Sequence, residues 1–406
     1  MQELQLIHDW SMTYRLKSGI SYWRTACGQL RVGSRFRNFL LPDQIAGIDI
    51  ESLLVELRFG IEPTVDSAKY GPAISTLIEL SVLDNKVPLN LYLQSNRQNT
   101  PQKNNQGKSK ASNVLIDTAM ENLQQRFEIE SVGCGIREGA LDGGAEMLLA
   151  RQRLKISIVG EGKFQFSRIA IALFTNLLAS GFSQTEFKSS NSISLDAKVE
   201  IVDLIGGLFS LGDIGLSKLE MLQKTRAEIS LFPLKEDAVS ELIVSIGPPH
   251  PHTQKESLNR KIPILVIDFV SGDELRIGPF FLPGKTPCYS CLLLSEKDSG
   301  ALTKVESAYF PSDFTELCAS LAIAGAGLAS LAIAEFSDTG TSSLAGRSIN
   351  FSTENFLAPQ SRSWQHHPNC SCNWLPAGSE EISTRAPVIS QRESAGVRNP
   401  KKDQYA

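Results

Sequence analysis

A chain of 406 residues with 42% hydrophobic content is long enough to bury two or three cores. Its formal net charge of −4 gives no electrostatic reason to expect nucleic acid or an anionic membrane as a partner. Seven cysteines are too few for a disulfide scaffold at this size, and four fall in two close pairs, which points to thiolates kept reduced for a metal.

The first residues, MQELQLIHDWSMTYRL, lack the basic start and uninterrupted apolar run of a secretory signal, so a cytoplasmic, soluble protein is expected. Residues 1–93 form a first block. Ile20 to Trp23, Gln29 to Val32 and Phe36 to Leu41 are short strand-like runs, punctuated by Gly28 and the Gly33-Ser34 pair. Ile50, Leu53, Leu54 and Leu57 then recur at helical spacing, as do Ile74, Leu77, Ile78 and Leu80. A meander followed by helices predicts a small winged-helix-like unit. Charge argues against DNA as its ligand: nine Lys/Arg stand against ten Asp/Glu over residues 1–93, where phosphate neutralisation needs a basic excess.

Residues 94–113, QSNRQNTPQKNNQGKSKASN, hold almost nothing able to fill a core and are expected to be a flexible linker. Residues 114–375 are globular again in composition. Residues 376–406 are polar and rich in Pro, Ser and Arg, and read as a disordered tail.

The second block opens its α/β pattern with LKISIVGEGKFQFSRIAIALFTNLLASG, Leu154 to Gly181. A buried strand, Ile156 to Val159, runs into Gly160-Glu161-Gly162, and a helix follows with Ile169, Leu173, Leu177 and Leu178 on its apolar face. Dinucleotide sites need that order, because the glycines turn the chain tightly and the helix N-terminus then faces a phosphate. Here Gln165 stands where the third glycine belongs, and no Asp closes the next short strand around Thr185 to Ser189. The pattern indicates a Rossmann-like α/β fold with a weakened or lost nucleotide site. Leu317 to Phe336 is long enough to span a bilayer, but its small residues and Glu335 favour a buried helix, with Ala322 to Gly327 allowing close packing.

Pro287-Cys288-Tyr289-Ser290-Cys291 is a knuckle, and Cys370-Ser371-Cys372 supplies a second pair near the end of the block. Four thiolates suit tetrahedral zinc with no position left for water, which makes Cys288, Cys291, Cys370 and Cys372 a structural rather than catalytic set. Cys-x-Cys is tighter than the usual spacing, so His366 and His367 stand as reserve ligands. Cys27 and Cys134 have no nearby His or metal-like spacing and are given no chemistry, Cys318 reads as a core residue of an Ala-rich helix, and His250 and His252 read as a solvated turn.

The stretch IPILVIDFVSGDELRIGPFFLPGKTPCYSCLLL, Ile262 to Leu294, taken with ISIVGEG and DIGLSK (Asp213 to Lys218), resembles the ThiF/MoeB/E1-like superfamily. Within it, the chain is similar to the subgroup of azole-peptide (thiazole/oxazole-modified microcin) biosynthesis called cyclodehydratase C proteins, or ocin-ThiF-like proteins. YRLKSGISYWRTACGQLRVGSRFRNFLL, residues 14–41, looks like the precursor-recognition element of that subgroup. The resemblance implies an E1/ThiF-type domain with a structural zinc site, preceded by a peptide-recognition domain.

In active members an Arg, a Lys and an Asp surround the ATP that adenylates a carboxyl terminus. Lys218 matches the Lys, while Gly160 and Gly162 match a vestigial nucleotide turn. Where those enzymes carry Asn-Leu-x-Arg-Gln, this chain has Val202-Asp203-Leu204-Ile205-Gly206-Gly207, without Arg. The strand Glu241 to Ile246 runs into Gly247-Pro248-Pro249 instead of a magnesium-binding Asp. The chain is therefore expected not to use ATP. The resemblance then implies a non-catalytic scaffold that binds the leader of a ribosomally made precursor peptide and presents it to a YcaO-type cyclodehydratase, in bacteriocin-type biosynthesis. A homodimer through the small-residue helix belongs to the same expectation. The alternative is an ATP-dependent adenylating enzyme of the ThiF/MoeB class. The strand Phe36 to Leu41, beside a helix spanning Ile74 to Leu83, is expected to take the leader as an added strand, with Arg35, Arg37, Phe39, Leu40, Leu77 and Ile78 in contact. An ordinary edge strand with protective charge is the other reading of those residues.

Overall fold

The computed structural model describes residues 14–17, 20–34, 37–59, 67–85, 125–127, 129–131, 133–134, 144–188, 197–204, 208–230, 240–269, 273–300 and 316–374. The linker expected over 94–113, the tail expected over 376–406 and the predicted peptide contact Arg35 lie outside the described residues.

In the N-terminal unit, β1 (Tyr14–Leu16) precedes the expected meander of β2 (Ser21–Arg24), β3 (Leu30–Gly33) and β4 (Asn38–Leu41), each antiparallel to the next. A two-residue turn, Ala46-Gly47 with both φ positive, closes a further hairpin of β5 (Gln44–Ile45) and β6 (Ile48–Asp49). Asp49 then caps α1 (Ile50–Phe59) by accepting the Ser52 N–H at 2.9 Å. The second helix, α2 (Ser67–Glu79), stops short of its expected end. Ser81 turns the chain at φ 56, and Leu83 enters a strand, β7 (Leu83–Asn85), that pairs with β1. Leu30, Val32, Leu53, Leu57 and Leu77 form the centre of this unit's core, none more than 1% exposed.

The larger unit starts with α3 (Ala145–Ala150) and β8 (Leu154–Gly160), then α4 (Arg168–Ala179), β9 (Thr185–Phe187), α5 (Lys218–Ile229) and β10 (Ser240–Ile246). It continues through α6 (Pro251–Arg260), β11 (Ile264–Asp268), β12 (Glu274–Phe281), α7 (Tyr289–Asp298), α8 (Ala319–Thr339), β13 (Arg347–Ser352) and β14 (Gln360–Ser363). These strands make one seven-stranded sheet in the order β14-β13-β12-β11-β10-β8-β9. From β9 to β11 neighbours are parallel, and from β11 to β14 they are antiparallel. The chain steps from β8 outward to β9 and then returns past β8 to β10. That reversal opens a crevice at the carboxyl ends of β8 and β10, the place where open α/β sheets bind ligands.

Both faces of the sheet are covered, which explains the unbroken apolar runs. Along β11, Leu265 and Ile267 join the core under α4 and α8, while Ile264 and Val266 join the core under α7. At 21 residues α8 is about 31 Å long. Among the described residues it is the one helix long and apolar enough to cross a membrane, yet 56% of its most apolar window is buried within the fold. Its inner face packs on α4 and β12 so closely that a Cβ on Gly325 would collide with Leu275 Cδ2 and lie 2.9 Å from Ile169 Cδ1. Gly325→Val should therefore cost about 1–3 kcal/mol through overpacking, measured by urea unfolding. Its outer face exposes Ile323, Leu328 and Leu331.

Candidate functional site

Two features occupy opposite ends of the sheet. The first is built by the turn into α7 and by the segment after β14. Cys288 is the N-cap residue of α7 and Cys291 lies in its first turn, with the Cys291 N–H bonded to the Cys288 carbonyl at 3.0 Å. The chain returns after β14 and places Cys370 Sγ 3.5 Å from Cys288 Sγ, and Cys372 Sγ 3.3 Å from Cys291 Sγ. Cys288 and Cys291 are 3.9 Å apart at sulfur, and all four sulfurs lie within 4.8 Å of one another. Disulfides are excluded at these separations, since an S–S bond is about 2.05 Å. A tetrahedron with zinc–sulfur bonds of about 2.3 Å has edges of about 3.8 Å, and the sulfur separations bracket that length. The donor set fits one zinc-like ion with no open position.

Without a cation Cys288, Cys291 and Cys372 conflict. The hydrogen bond donated by Cys288 lowers the Cys291 thiol to about 4, and the same bond pushes Cys288 upward. Burial, aided by the hydrogen bond with Cys291, raises Cys372 to about 12. A bound divalent ion would supply the charge that lets all four ionise together. The histidines held in reserve are not needed. His367 accepts the Asn369 N–H on Nδ1 at 3.2 Å and bonds Asp298 through Nε2 at 2.9 Å, so both ring nitrogens are engaged. His366 Nδ1 lies 3.7 Å from Cys372 Sγ, a contact to a ligand sulfur and not to the centre of the set.

The second feature is the crevice at the carboxyl ends of β8 and β10. Gly160 is required there, because a Cβ would sit 2.8 Å from the Gln165 backbone nitrogen. Beyond it the crevice is filled by the protein itself. The buried Phe164 ring packs on Phe269 with centroids 5.2 Å apart, and a Cβ on Gly247 would lie 3.0 Å from the same ring. Lys218, the first residue of α5, bonds Asp203 through Nζ at 2.8 Å, with their side chains 11% and 2% exposed. At the N-terminus of α4, where a Rossmann phosphate would sit, Glu316 accepts the Arg168 N–H at 3.3 Å and the Leu317 N–H at 2.9 Å. Burial is the chief reason its carboxyl is shifted upward. Asp268, at the carboxyl end of β11, is held by Arg276 at 2.5 Å, and Arg276 also bonds Glu296 at 2.5 Å.

Comparison with solved structures gives the fold a precedent. A crystal structure of E. coli MccB with ATP aligns over 89% of this chain and 99% of its own, with a TM-score of 0.57 and 16% identity. The fold is that of MccB. A structure of the microcin C7 biosynthetic enzyme MccB in complex with N-formylated MccA covers 89% of this chain and 99% of its own, at TM-score 0.54 and 17% identity. No family model matches the chain, and no curated protein matches it. The E1/ThiF-type architecture expected from the sequence is supported as a fold; at this identity the likeness carries no activity.

The predicted site residues fall into three groups. The four cysteines meet. Gly160 ends β8 and Gly162 follows it in the turn at φ 54, while Lys218 is committed to Asp203. Of the peptide contacts, Leu40 is 55% exposed on β4, Phe39 and Ile78 are half-buried, and Arg37 sits over the Phe39 ring at 5.6 Å. Leu77 points inward, with 0% exposure, and is a core residue. Phe164, Asp203 and Glu316 were not singled out by the sequence as crevice residues. The only signal was the acidic residue at 203, in the segment read for its missing Arg.

Proposed function

We infer that this chain binds the leader of a ribosomally synthesised precursor peptide and presents it to a separate YcaO-type cyclodehydratase, without adenylating a substrate itself. The observation that carries the second half is the buried Lys218–Asp203 pair, since the family's phosphate-facing cation is neutralised by a carboxylate of the same chain. Phe164 in the crevice and Glu316 at the start of α4 support it in the same direction: one takes the space of a nucleotide and the other the place of an anion. Removing these groups from the surface costs an adenylating enzyme its positioning charges, which supply most of phosphoryl-transfer catalysis.

The peptide is assigned to β4. This strand pairs only with β3 among the described residues, so its outer edge is open to strand addition. Phe39, Leu40 and Ile78 would read side chains, and Arg37 an acidic position. That MccB has been solved with MccA supports peptide binding as a use of this fold. The exposed outer face of α8 is assigned to a homodimer, and the four cysteines to a zinc ion that holds the domain together.

Fluorescence titration of labelled leader segments, taken from short Cys/Ser/Thr-rich peptides encoded beside the gene, tests the assignment on the full chain. Saturable binding is expected, and Leu40→Asp should weaken it at least about tenfold, or roughly 1.4 kcal/mol, with metal content unchanged. Equal affinity in that variant would remove β4 as the docking strand.

An adenylating enzyme is the second reading. Gln165 favours it, being 2% exposed with an Nε2 that has no hydrogen-bond partner among the described residues, at the position that borders the crevice. Peptide-dependent ATP–pyrophosphate exchange would be its signature, and none is expected.

A further inference from the structure

We propose that a pocket beside the four cysteines binds a small aromatic compound carrying an N–H donor, the chemistry of indole or an arylamine. The pocket has a volume of about 220 Å³ and lies between α6, the end of β12 and the cysteine knuckle. It is at the far end of the sheet from the nucleotide crevice, since β11 enters it at Ile264 and β12 leaves into it at Phe281. Nothing in the leader-binding assignment uses it.

Size, polarity and charge together choose the ligand. An apolar cavity of about 150 Å³ holds benzene, so this volume suits a fused two-ring system. Leu258, Ile264, Phe281 and Leu282 supply the apolar wall that such a ring needs. No Asp, Glu, Lys or Arg lines the pocket among the described residues.

Three polar groups of the wall are already engaged as donors. Ser257 donates its hydroxyl to the Ile262 carbonyl at 2.6 Å, Thr286 to the Leu282 carbonyl at 3.5 Å, and Gln254 its amide to the Pro249 carbonyl at 2.8 Å. Cys288 and Cys372 also face the pocket, and four thiolates around a divalent ion carry a net charge of −2. The two ligand sulfurs therefore offer acceptors to a bound N–H and oppose an anion beside them. Carboxylates and nucleotides are disfavoured, and a flat apolar ring with one donor is favoured.

Calorimetric titration of the metal-loaded full chain with indole, naphthalene and indole-3-acetate tests this. Indole should saturate one site per chain, while naphthalene, which lacks the donor, and indole-3-acetate, which adds an anion, should each bind at least about tenfold more weakly. Leu258→Trp fills the wall and should abolish indole binding with metal content unchanged. A crystal soaked with 5-bromoindole should place the bromine between Phe281 and Cys372, which decides the matter should that variant fail to fold. Equal affinity for naphthalene and indole, no saturable binding, or bromine density elsewhere would each overturn the proposal.

Discussion

Cys291→Ser is expected to strip the chain of its metal and lower its melting temperature by about 10 °C or more. The side chain is fully buried and its sulfur lies against both Cys288 and Cys372. A serine hydroxyl stays protonated at neutral pH and is a poor ligand for a soft-leaning ion. Structural zinc is worth about 10–16 kcal/mol in small zinc peptides, comparable with the whole net stability of a domain, about 5–15 kcal/mol. The loss would spread through Tyr289, Leu292, Leu293 and Trp364, which the knuckle holds over the α7 face of the sheet. Cys27→Ser is the control, being an exposed thiol outside the set. Elemental analysis and thermal melts give the readout; full metal content in Cys291→Ser would show that the four sulfurs are not the ligands.

Arg151→Met is expected to cost about 3–5 kcal/mol, because it removes the buried guanidinium that balances the Asp338 carboxylate. The two side chains are 6% and 0% exposed and meet twice, Nε to Oδ1 at 2.9 Å and an NH2 nitrogen to Oδ2 at 2.7 Å. Arg151 also donates to the Ser180 carbonyl at 2.9 Å and lies over the Phe182 ring, tying the start of β8 to the ends of α4 and α8. Asp338→Leu should cost a similar amount for the converse reason. The double variant removes both charges and should recover much of the loss, giving a coupling of about 2 kcal/mol or more in urea unfolding. Strictly additive losses would mean that each residue acts through packing alone.

The sequence showed the sheet and the cysteine set because both rest on patterns that tertiary context does not disturb. Strands buried on two faces must be apolar throughout, as Ile156 to Val159 and Ile264 to Phe269 are. Two tight sulfur pairs have few uses besides a shared ion, although 82 residues separate Cys288 from Cys370. The crevice was legible only in part. A phenylalanine in a glycine turn carries no mark that it will fill the space next to Gly247, and Glu316 reaches Arg168 from 148 positions away. Lys218 was legible as a lysine, but its pairing with Asp203 was not, because a single position cannot reveal its partner. In α2 the adjacent Leu77 and Ile78 are both apolar, so spacing could not say which turned inward; the core took Leu77. The helix itself was read too long because Leu80 and Leu83 continue the apolar period past its last residue, Glu79, on either side of the turn at Ser81.

Calorimetric titration of magnesium ATP into the metal-loaded full chain bears most directly on whether this protein is a scaffold or an adenylating enzyme. With Phe164 in the crevice, Lys218 paired and Glu316 at the helix start, no heat of binding is predicted up to millimolar nucleotide. A saturable micromolar site that Lys218→Ala abolishes would contradict the account.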